Sequence, residues 1–335
     1  MSAVHGLIEG HLGAAWVAII LSFAVLARSA SLFVDGSIGL ARRLRIPKLV
    51  IGIVLVSLAT TAPELSVSLM SALKGKPEMA LGNAMGSVIC DDGLALGLAG
   101  LLTVSVIALD PRILKTSGLF LILVQALLFL FVAFDSTLDR WEGAVLVALF
   151  AGYLAILFRQ HRQGKFKETA DLEAALNTGE AMGKGRMIAT FALGLAGIIL
   201  ASEFIVLSAS SIARSFNISD AVIAMTLVAL GTSIPEVATC VVAARKGEGA
   251  MAVGNILGAD IMNICWVAGA SALANPLTLS RREIGFMFPA MFLIVAVMLI
   301  LLRIGYSLNR VKGAILLVLY AVYLAVFFMF SPMGQ

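Results

Sequence analysis

The sequence contains little charge for its length. Only 13% of its 335 residues are Asp, Glu, Lys or Arg, whereas 60% are hydrophobic and the mean hydropathy is +1.02. Soluble domains usually carry about 25% charged residues, and their interior is too small to bury this much apolar surface. The composition therefore excludes an ordinary soluble protein and predicts an integral membrane protein in contact with a lipid bilayer.

Cysteine and histidine are also scarce, with three of each. Cys90, Cys240 and Cys265 lie inside apolar runs without paired spacing, which argues against a disulfide framework or a zinc site. The net charge of +4 does not indicate nucleic-acid binding, because the basic residues fall at the ends of apolar runs and no basic patch is interleaved with aromatics. We expect no resident cofactor and no nucleic-acid partner.

One long polar stretch, 159–186, interrupts the apolar sequence. A membrane-spanning helix needs about 20 apolar residues, and ten such runs fall five on each side of this stretch. The runs are roughly 13–34, 48–73, 78–107, 113–134, 141–158, 187–213, 220–244, 250–274, 284–303 and 311–330. The pattern predicts an all-α integral membrane protein with ten transmembrane helices. Its parts are a five-span unit at 1–158, a loop at 159–186 and a second five-span unit at 187–335.

The Lys and Arg residues are distributed unevenly between the two sides of these runs. If the N-terminus lies outside, the inside loops carry 17 basic residues and the outside loops carry 6, with Arg28 inside the first run left uncounted. Cytoplasmic loops are the ones enriched in Lys and Arg. We therefore predict a multi-pass protein of the cell membrane with both termini outside and the central loop in the cytoplasm. The sequence does not indicate an oligomeric state.

The two halves repeat each other at a constant offset of 172 residues. The offset relates Thr60 to Thr232, Pro63 to Pro235, Glu64 to Glu236, Lys74-Gly75 to Lys246-Gly247, and Gly82-Asn83 to Gly254-Asn255. Because each half has an odd number of spans, the two copies are expected to be inverted relative to each other. Inverted repeats that meet near the bilayer midplane are typical of secondary transporters.

The repeated segments hold acidic residues without basic partners. Glu64, Asp91, Asp92, Glu236 and Asp260 all fall in runs two, three, seven and eight, which contain no Lys, Arg or His between their ends. A charge at the middle of the membrane costs on the order of 2.5–3.5 kcal/mol. No fixed base in these segments offsets that cost, so the expected counter-ions are mobile metal cations or protons.

Proline and hydroxyl residues surround two of these acids. Pro63 and Pro235 each precede a glutamate, and each removes a helical hydrogen bond and clashes with the carbonyl four residues earlier. Broken helices at membrane depth are tolerated where the freed backbone lines a cavity. Carbonyls, hydroxyls and carboxylates form an all-oxygen set of ligands, which suits calcium, magnesium or sodium better than zinc or copper. The repeated pattern therefore predicts a hard-cation site.

Residues 60–64 (TTAPE) with 82–87 (GNAMGS), and 231–236 (GTSIPE) with 254–258 (GNILG), carry a family resemblance. They are similar to the two α-repeats of the cation/calcium exchanger superfamily, most closely those of prokaryotic sodium/calcium exchangers. The resemblance implies ten spans, with runs two, three, seven and eight forming the ion-binding core. It implies that the protein is not an enzyme but an antiporter. This antiporter would exchange calcium for sodium while runs one and six slide across that core.

The resemblance also implies a set of ligands for the transported calcium and sodium ions, which are the expected partners. By motif position the calcium ligands are Glu64, Glu236, Thr60 and Thr232, and the sodium ligands include Thr61, Ser233 and Ser87.

Positions Asp91 and Asn263 complete the expected metal site, but the family has the acid and the amide the other way round. Ala259 also replaces a residue that bears a hydroxyl in the family. No ligand role carries over to Asp92 or Asp260. Three carboxylates in one cage, Glu64, Glu236 and Asp91, would be neutralised by three sodium ions, whereas one calcium ion would leave a single negative charge.

Other readings of the same residues remain open. Lone membrane carboxylates also make proton relays, so a proton-coupled cation antiporter of the same fold is the main alternative. A passive channel and an intramembrane hydrolase, with Asp91 and Glu64 as acid and base, are more distant ones. A hydrolase needs no second copy of its site, and broken helices related by an internal dyad suit alternating access better than a channel.

Overall fold

A computed structural model describes residues 11–44, 48–162, 183–216 and 229–330. Within these ranges the chain is almost entirely helical. The helices of the first half are α1 (Leu12–Leu44), α2 (48–60), α3 (Ala62–Leu73), α4 (Pro77–Leu102), α5 (Pro111–Asp135) and α6 (Arg140–Arg162). Those of the second half are α7 (Lys184–Ser215), α8 (Ala229–Thr232), α9 (Ile234–Arg245), α10 (Gly249–Ala274), α11 (Arg281–Arg303) and α12 (Arg310–Phe330).

In the described part of the chain, eight helices are long and apolar enough to cross a membrane. A ninth span results if α2 and α3, which meet at a bend of 51°, are counted as one. The predicted run 220–244 lies partly outside the described residues, so the structure supports eight or nine of the ten predicted spans. Run 78–107 was predicted too long, because helix α4 ends at Leu102 and Thr103 has an extended backbone.

Helices α4 and α10 lie at the centre of the bundle. In an apolar stretch of 18 residues, 72% of the residues are buried in α4 and 83% in α10. The corresponding values are 28% in α7 and 22% in α12. Polar side chains on α4 and α10 are therefore enclosed by protein, whereas the outer helices present apolar surface of the kind that faces lipid.

Helices α1 and α7 pack tightly against each other through glycines. A Cβ atom on Gly36 would lie 2.6 Å from the backbone nitrogen of Phe191, and one on Gly194 would lie 2.7 Å from the Cα atom of Phe33. Small residues of this kind let membrane helices approach closely. Residue numbers rise along α1 as they fall along α7, so the two helices are antiparallel.

The element boundaries repeat between the halves. Adding 172 to the bounds of α3 and α4 gives those of α9 and α10, and Leu12 at the start of α1 corresponds to Lys184 at the start of α7. Two short antiparallel bridges, which pair β1 (Ile107–Ala108) with β4 (Ser307–Leu308) and β2 (Thr137–Leu138) with β3 (Leu277–Thr278), lie outside this offset. Their strands match when 170 is added, so the first strand of each half pairs with the second strand of the other.

Candidate cation-binding site

The helices are interrupted at equivalent positions in the two halves. Thr61 separates α2 from α3 with φ −79° and ψ 2°, and Ser233 separates α8 from α9 with φ −84° and ψ 1°. Pro63 and Pro235 lie in the first turn of the helix that follows each break. A proline in the first turn has no hydrogen bond to lose in its own helix, but it cannot continue the preceding one. The predicted break at each proline is confirmed.

Each break places a glutamate in the first turn of a new helix. Glu64 lies in the first turn of α3 and Glu236 in the first turn of α9, and both side chains are completely buried. The N-terminus of a helix carries partial positive charge, which stabilises a carboxylate in its first turn. The fold thus places two buried carboxyl groups at helix N-termini.

The broken segments of the two halves contact each other. The Thr61 hydroxyl donates a hydrogen bond of 3.3 Å to Oε1 of Glu236. The Thr60 side chain also lies next to Glu236, and the Thr232 side chain lies next to Glu64. Each glutamate is therefore accompanied by hydroxyl groups from the opposite half, which brings five of the predicted site residues together.

Two asparagines that the sequence analysis did not assign to the site also link the halves. The Thr60 hydroxyl donates to Oδ1 of Asn255 at 3.3 Å, and the Thr232 hydroxyl donates to Oδ1 of Asn83 at 3.2 Å. The two bonds are equivalent under the offset of 172. The sequence signal for these residues was the repeat of Gly-Asn in both halves, but spacing alone did not indicate what the amides contact.

The exchanged pair Asp91 and Asn263 meets in the interior. Asn263 Nδ2 donates to Oδ2 of Asp91 over 3.5 Å, and both side chains are completely buried. Each residue begins a π-helical segment, Asp91–Ala95 in α4 and Asn263–Ala268 in α10. Wide π turns of this type are rare and frequently occur at functional sites. The sequence pattern did not predict them.

Several polar atoms around these residues have no hydrogen-bond partner within the described ranges. They are both carboxylate oxygens of Glu64, Oε2 of Glu236, Oδ1 of Asp91, Oδ1 of Asn263, and the hydroxyls of Ser87 and Ser233. No basic side chain of the described residues contacts these carboxylates. Buried polar groups are normally hydrogen-bonded, so this set of free oxygen atoms is the arrangement expected of a site that takes a cation.

The described residues contain no group of three or more His, Cys, Asp or Glu side chains placed to hold one metal ion. The cage of three carboxylates and its ligands stay a prediction. Asp91 lies on α4 beside its amide partner on α10, and the two glutamates lie at the breaks.

Asp92 and Asp260 form a second acidic contact beside this region. Their carboxyl groups face each other within hydrogen-bonding distance, and both residues are completely buried. No other group in the described part of the chain donates a hydrogen bond to their four oxygens. The offset of 172 relates Asp92 to Ile264 and Asp260 to Val88. The acidic pair therefore occurs once, and the pair of positions equivalent to it is apolar, with Val88 and Ile264.

Two glycines hold α2 and α10 in close contact at this level. A Cβ atom on Gly52 would lie 2.8 Å from the backbone nitrogen of Asn255, and one on Gly258 would lie 2.7 Å from the Cα atom of Ile53. Larger side chains would separate the helices and lengthen the bond from Thr60 to Asn255. The glycine motif therefore serves helix packing, as small residues four apart often do.

Known proteins resemble this chain over most of its length. The family described as "Sodium/calcium exchanger protein" matches residues 14–159 and 186–329. The chain is 33% identical to "Putative antiporter CaxA" of Alkalimonas amylolytica and 30% identical to "Sodium/calcium exchanger MaX1" of Methanosarcina acetivorans, in each case over 92% of this chain and 97% of the relative. It is 32% identical to "Inner membrane protein YrbG" of Escherichia coli over 94% of this chain and 97% of that protein.

Solved structures of the sodium-calcium exchanger NCX_Mj share the fold. The structure soaked with 100 mM Na+ and 10 mM Sr2+ has a TM-score of 0.77 and 25% identity, covering 94% of this chain and 99% of the other. A second, soaked with 10 mM Na+ and 10 mM Sr2+, has a TM-score of 0.78 and 26% identity, covering 93% and 97%. The chain is a transporter and not an enzyme: a multi-pass membrane antiporter that exchanges cations and belongs to the sodium/calcium exchanger family.

Proposed function

We propose that this antiporter exchanges calcium for sodium by alternating access to one buried site between its two halves. The observation that carries the proposal is the contact of each broken segment with the opposite glutamate, seen most directly in the bond from Thr61 to Glu236. Two buried carboxylates without a basic partner need a bound cation or protons for neutrality. One calcium ion supplies the two charges that Glu64 and Glu236 need.

The ligand chemistry supports a hard cation. We propose that Glu64, Glu236, Thr60 and Thr232 hold calcium, and that Thr61, Ser233 and Ser87 contribute to sodium binding. All of these side chains are buried and offer oxygen atoms, which calcium and sodium prefer. Sodium ions and calcium would compete for the same two carboxylates, so occupancy by one excludes the other. That exclusion is the physical basis of exchange.

Asp91 and Asn263 complete the proposed site as a charge-and-amide pair on the central helices. Their free Oδ1 atoms are available to a cation, and the carboxylate adds a charge near Glu236. Reversal of this pair relative to the family pattern keeps the number of charges unchanged. We infer that either half can supply this carboxylate.

We further propose that the two halves are inverted repeats of five spans each, with both termini outside the cell and the central loop in the cytoplasm. The antiparallel packing of α1 against α7 and the recurrence of element boundaries support the inversion. The excess of basic residues in the loops assigned to the cytoplasm supports the orientation. In this arrangement α1 and α7 would move together along the surface of the core to open the site to either side.

The test is counter-transport by purified protein in liposomes. Calcium uptake is measured with an outward sodium gradient and, separately, with an outward proton gradient of equal driving force. The proposal predicts that sodium drives accumulation and that protons do not. Uptake driven by protons alone would establish the proton-coupled alternative, and calcium flux without either gradient would indicate a channel.

A further inference from the structure

Two threonines of the proposed site, Thr232 and Thr60, have an amide oxygen within hydrogen-bonding distance in addition to the glutamate beside them. The hydroxyl of Thr232, next to Glu64, can donate to Oδ1 of Asn83 at 3.2 Å. The hydroxyl of Thr60, next to Glu236, can donate to Oδ1 of Asn255 at 3.3 Å or to the backbone oxygen of Ser57 at 3.4 Å. Asn83 and Asn255 are almost completely buried on the central helices. In both halves, therefore, an amide oxygen can accept the proton of a threonine from the other half.

This direction of donation matters for a hydroxyl that binds a cation. A hydroxyl group has one proton and two lone pairs, and only a lone pair can coordinate a positive ion. The proton must point away from the ion, so it needs an acceptor on the far side. Groups behind the ligands of a metal ion commonly fix ligand orientation in this way, and their loss costs roughly 10–100-fold in affinity. Asn83 and Asn255 occupy the positions of such acceptors.

The two asparagines are not held equally. Asn83 Nδ2 donates to the Ser68 hydroxyl at 3.0 Å and to the backbone oxygen of Glu64 at 3.4 Å, and Ser68 itself donates to the backbone oxygen of Ala80 at 3.0 Å. The amide can turn its oxygen away from Thr232 only by breaking these bonds. Ser68 thus locks the first asparagine.

The second half has cysteine at the position of Ser68. Cys240 Sγ donates to the backbone oxygen of Ala252 over 3.6 Å, which repeats the bond from Ser68 to Ala80. Nδ2 of Asn255, however, has no hydrogen-bond partner within the described ranges. A thiol sulfur is a weak acceptor compared with a hydroxyl oxygen, so it does not replace the lock.

We propose that Asn83 and Asn255 are positioning residues which turn the lone pairs of Thr232 and Thr60 towards the cation, and that Ser68 locks this orientation in the first half only. The inference rests on the proposed calcium site. Thr232 donates to an amide that is fixed by Ser68, whereas Thr60 donates to an amide whose nitrogen has no partner in the described ranges. The serine-to-cysteine difference between the halves therefore sets how tightly calcium is held.

The exchange of a single atom at these two positions tests the proposal with little change in side-chain volume. Ser68→Cys removes the lock from the first half, and we expect the half-saturating calcium concentration to rise roughly fivefold, the effect of one hydrogen bond. Cys240→Ser supplies a lock to the second half and is expected to lower that concentration by up to about the same factor. The double variant moves the lock from one half to the other and should lie within about twofold of wild type.

The measurement is sodium-driven uptake of radioactive calcium into liposomes, with the half-saturating concentration and the maximal rate determined separately. Cys265→Ser is the matched control, because Cys265 is also a buried cysteine and takes no part in the hydrogen bonds described for the two asparagines. It should leave both values unchanged. A positioning role changes the half-saturating concentration and leaves the maximal rate within about twofold.

The inference would be overturned if Ser68→Cys left the half-saturating concentration unchanged or lowered the maximal rate alone. A double variant as impaired as Ser68→Cys would overturn it as well. An unchanged value in Cys240→Ser would also contradict the unequal locks. Wild-type protein that takes up no calcium in exchange for sodium would remove the proposed function, and the inference with it. Active wild type with unaffected variants would remove the inference only.

Discussion

The two halves of the molecule have helices with equivalent bounds but differ in their buried polar residues. Helices α3 and α4 begin and end at positions equivalent to those of α9 and α10, and both halves place a glutamate after a break at a hydroxyl residue. At equivalent positions of the two halves, Ser68 corresponds to Cys240, and the acid Asp91 corresponds to the amide Asn263.

The comparison distinguishes residues that both halves contain from residues that occur in one half only. Both breaks and both glutamates are present, because each half contributes a carboxylate and hydroxyls to the other. The third carboxylate, the lock on the asparagine and the pair of aspartates occur once. The recurrence of the helix bounds is thus compatible with differences between the halves in their buried charges and hydrogen bonds.

Neutralising either shared glutamate should have the largest effect. We expect Glu64→Gln and Glu236→Gln each to reduce calcium exchange at least about a hundredfold, since loss of one partner from a buried charge interaction costs about 3 kcal/mol or more. Folding should persist, because a buried carboxylate without a basic partner is costly in the absence of an ion. Initial rates of exchange in liposomes and the elution profile in detergent test both points.

Glu78→Gln is the matched control for these variants. Glu78 also lies in the first turn of a helix, α4, but it is exposed. The same chemical change there should leave exchange within about twofold of wild type. Near-normal exchange by either Glu64→Gln or Glu236→Gln would contradict the shared site.

The exchanged pair on the central helices provides the next test of the comparison. Asp91→Asn should weaken calcium binding by roughly tenfold, because it removes a charge that attracts cations in a region of low dielectric constant. The double variant Asp91→Asn with Asn263→Asp restores both the charge and the amide, with their positions reversed, and should recover measurable transport. A folded double variant as inactive as the single one would show that Asp91 has a role which the other half cannot take over.

The one-sided pair of Asp92 and Asp260 should affect stability in the opposite direction. No group other than the two carboxyls themselves donates to their oxygens in the described part of the chain, and an unsatisfied buried polar group costs about 1–3 kcal/mol. The amide of Asp260→Asn can donate to Asp92, so we expect a melting temperature several degrees higher in calcium-free detergent solution. A lower melting temperature would indicate that the two acids are already satisfied, for instance by a cation they hold.

The smallest effect on transport is expected at an ion pair that has no equivalent under the offset of 172. Lys246 Nζ lies 2.6 Å from Oδ1 of Asp35 and 2.9 Å from the backbone oxygen of Ser31, so it links α9 to α1. Under the offset, Lys74 would face Leu207 instead. The side chains of Lys246 and Asp35 are 27% and 43% exposed, and such pairs contribute about 0–1 kcal/mol.

If α1 slides along the core, loss of this link should make movement easier. We expect Asp35→Asn to raise the maximal exchange rate by no more than about fivefold, with less effect at high salt because exposed charges are screened. Lys74→Gln, at the equivalent exposed lysine, should have no effect. A reduction of the rate by a factor of ten or more in Asp35→Asn would show that the pair is needed for transport and does not merely restrain α1.

The sequence predicted the frame well because its signals are local. Apolar runs located the helices, and each proline located a break to within two residues, at Thr61 and Ser233. The first run was predicted to end at 34, but α1 continues to Leu44. The reason is that Gly36 and Ser37 are buried, with Gly36 against α7, although they interrupt the hydrophobic pattern.

The finer structure of the site depends on contacts between distant residues, which spacing does not reveal. Asn83 meets a threonine 149 positions away, and the facing of Asp92 with Asp260 depends on how α4 and α10 cross. The π segments that begin at Asp91 and Asn263 likewise leave no recognisable pattern in a single sequence. The sequence named acids and hydroxyls that the structure brings together, and the structure was needed to find the two amides beside them.

Equilibrium binding of calcium to purified protein tests the central claim most directly. If Glu64 and Glu236 share one ion, wild-type protein binds one calcium per chain at this site, added sodium displaces it completely, and Glu64→Gln and Glu236→Gln each abolish binding. Calcium that remains bound in excess sodium, or that binds to either variant with wild-type affinity, would contradict a single cation site shared by the two halves.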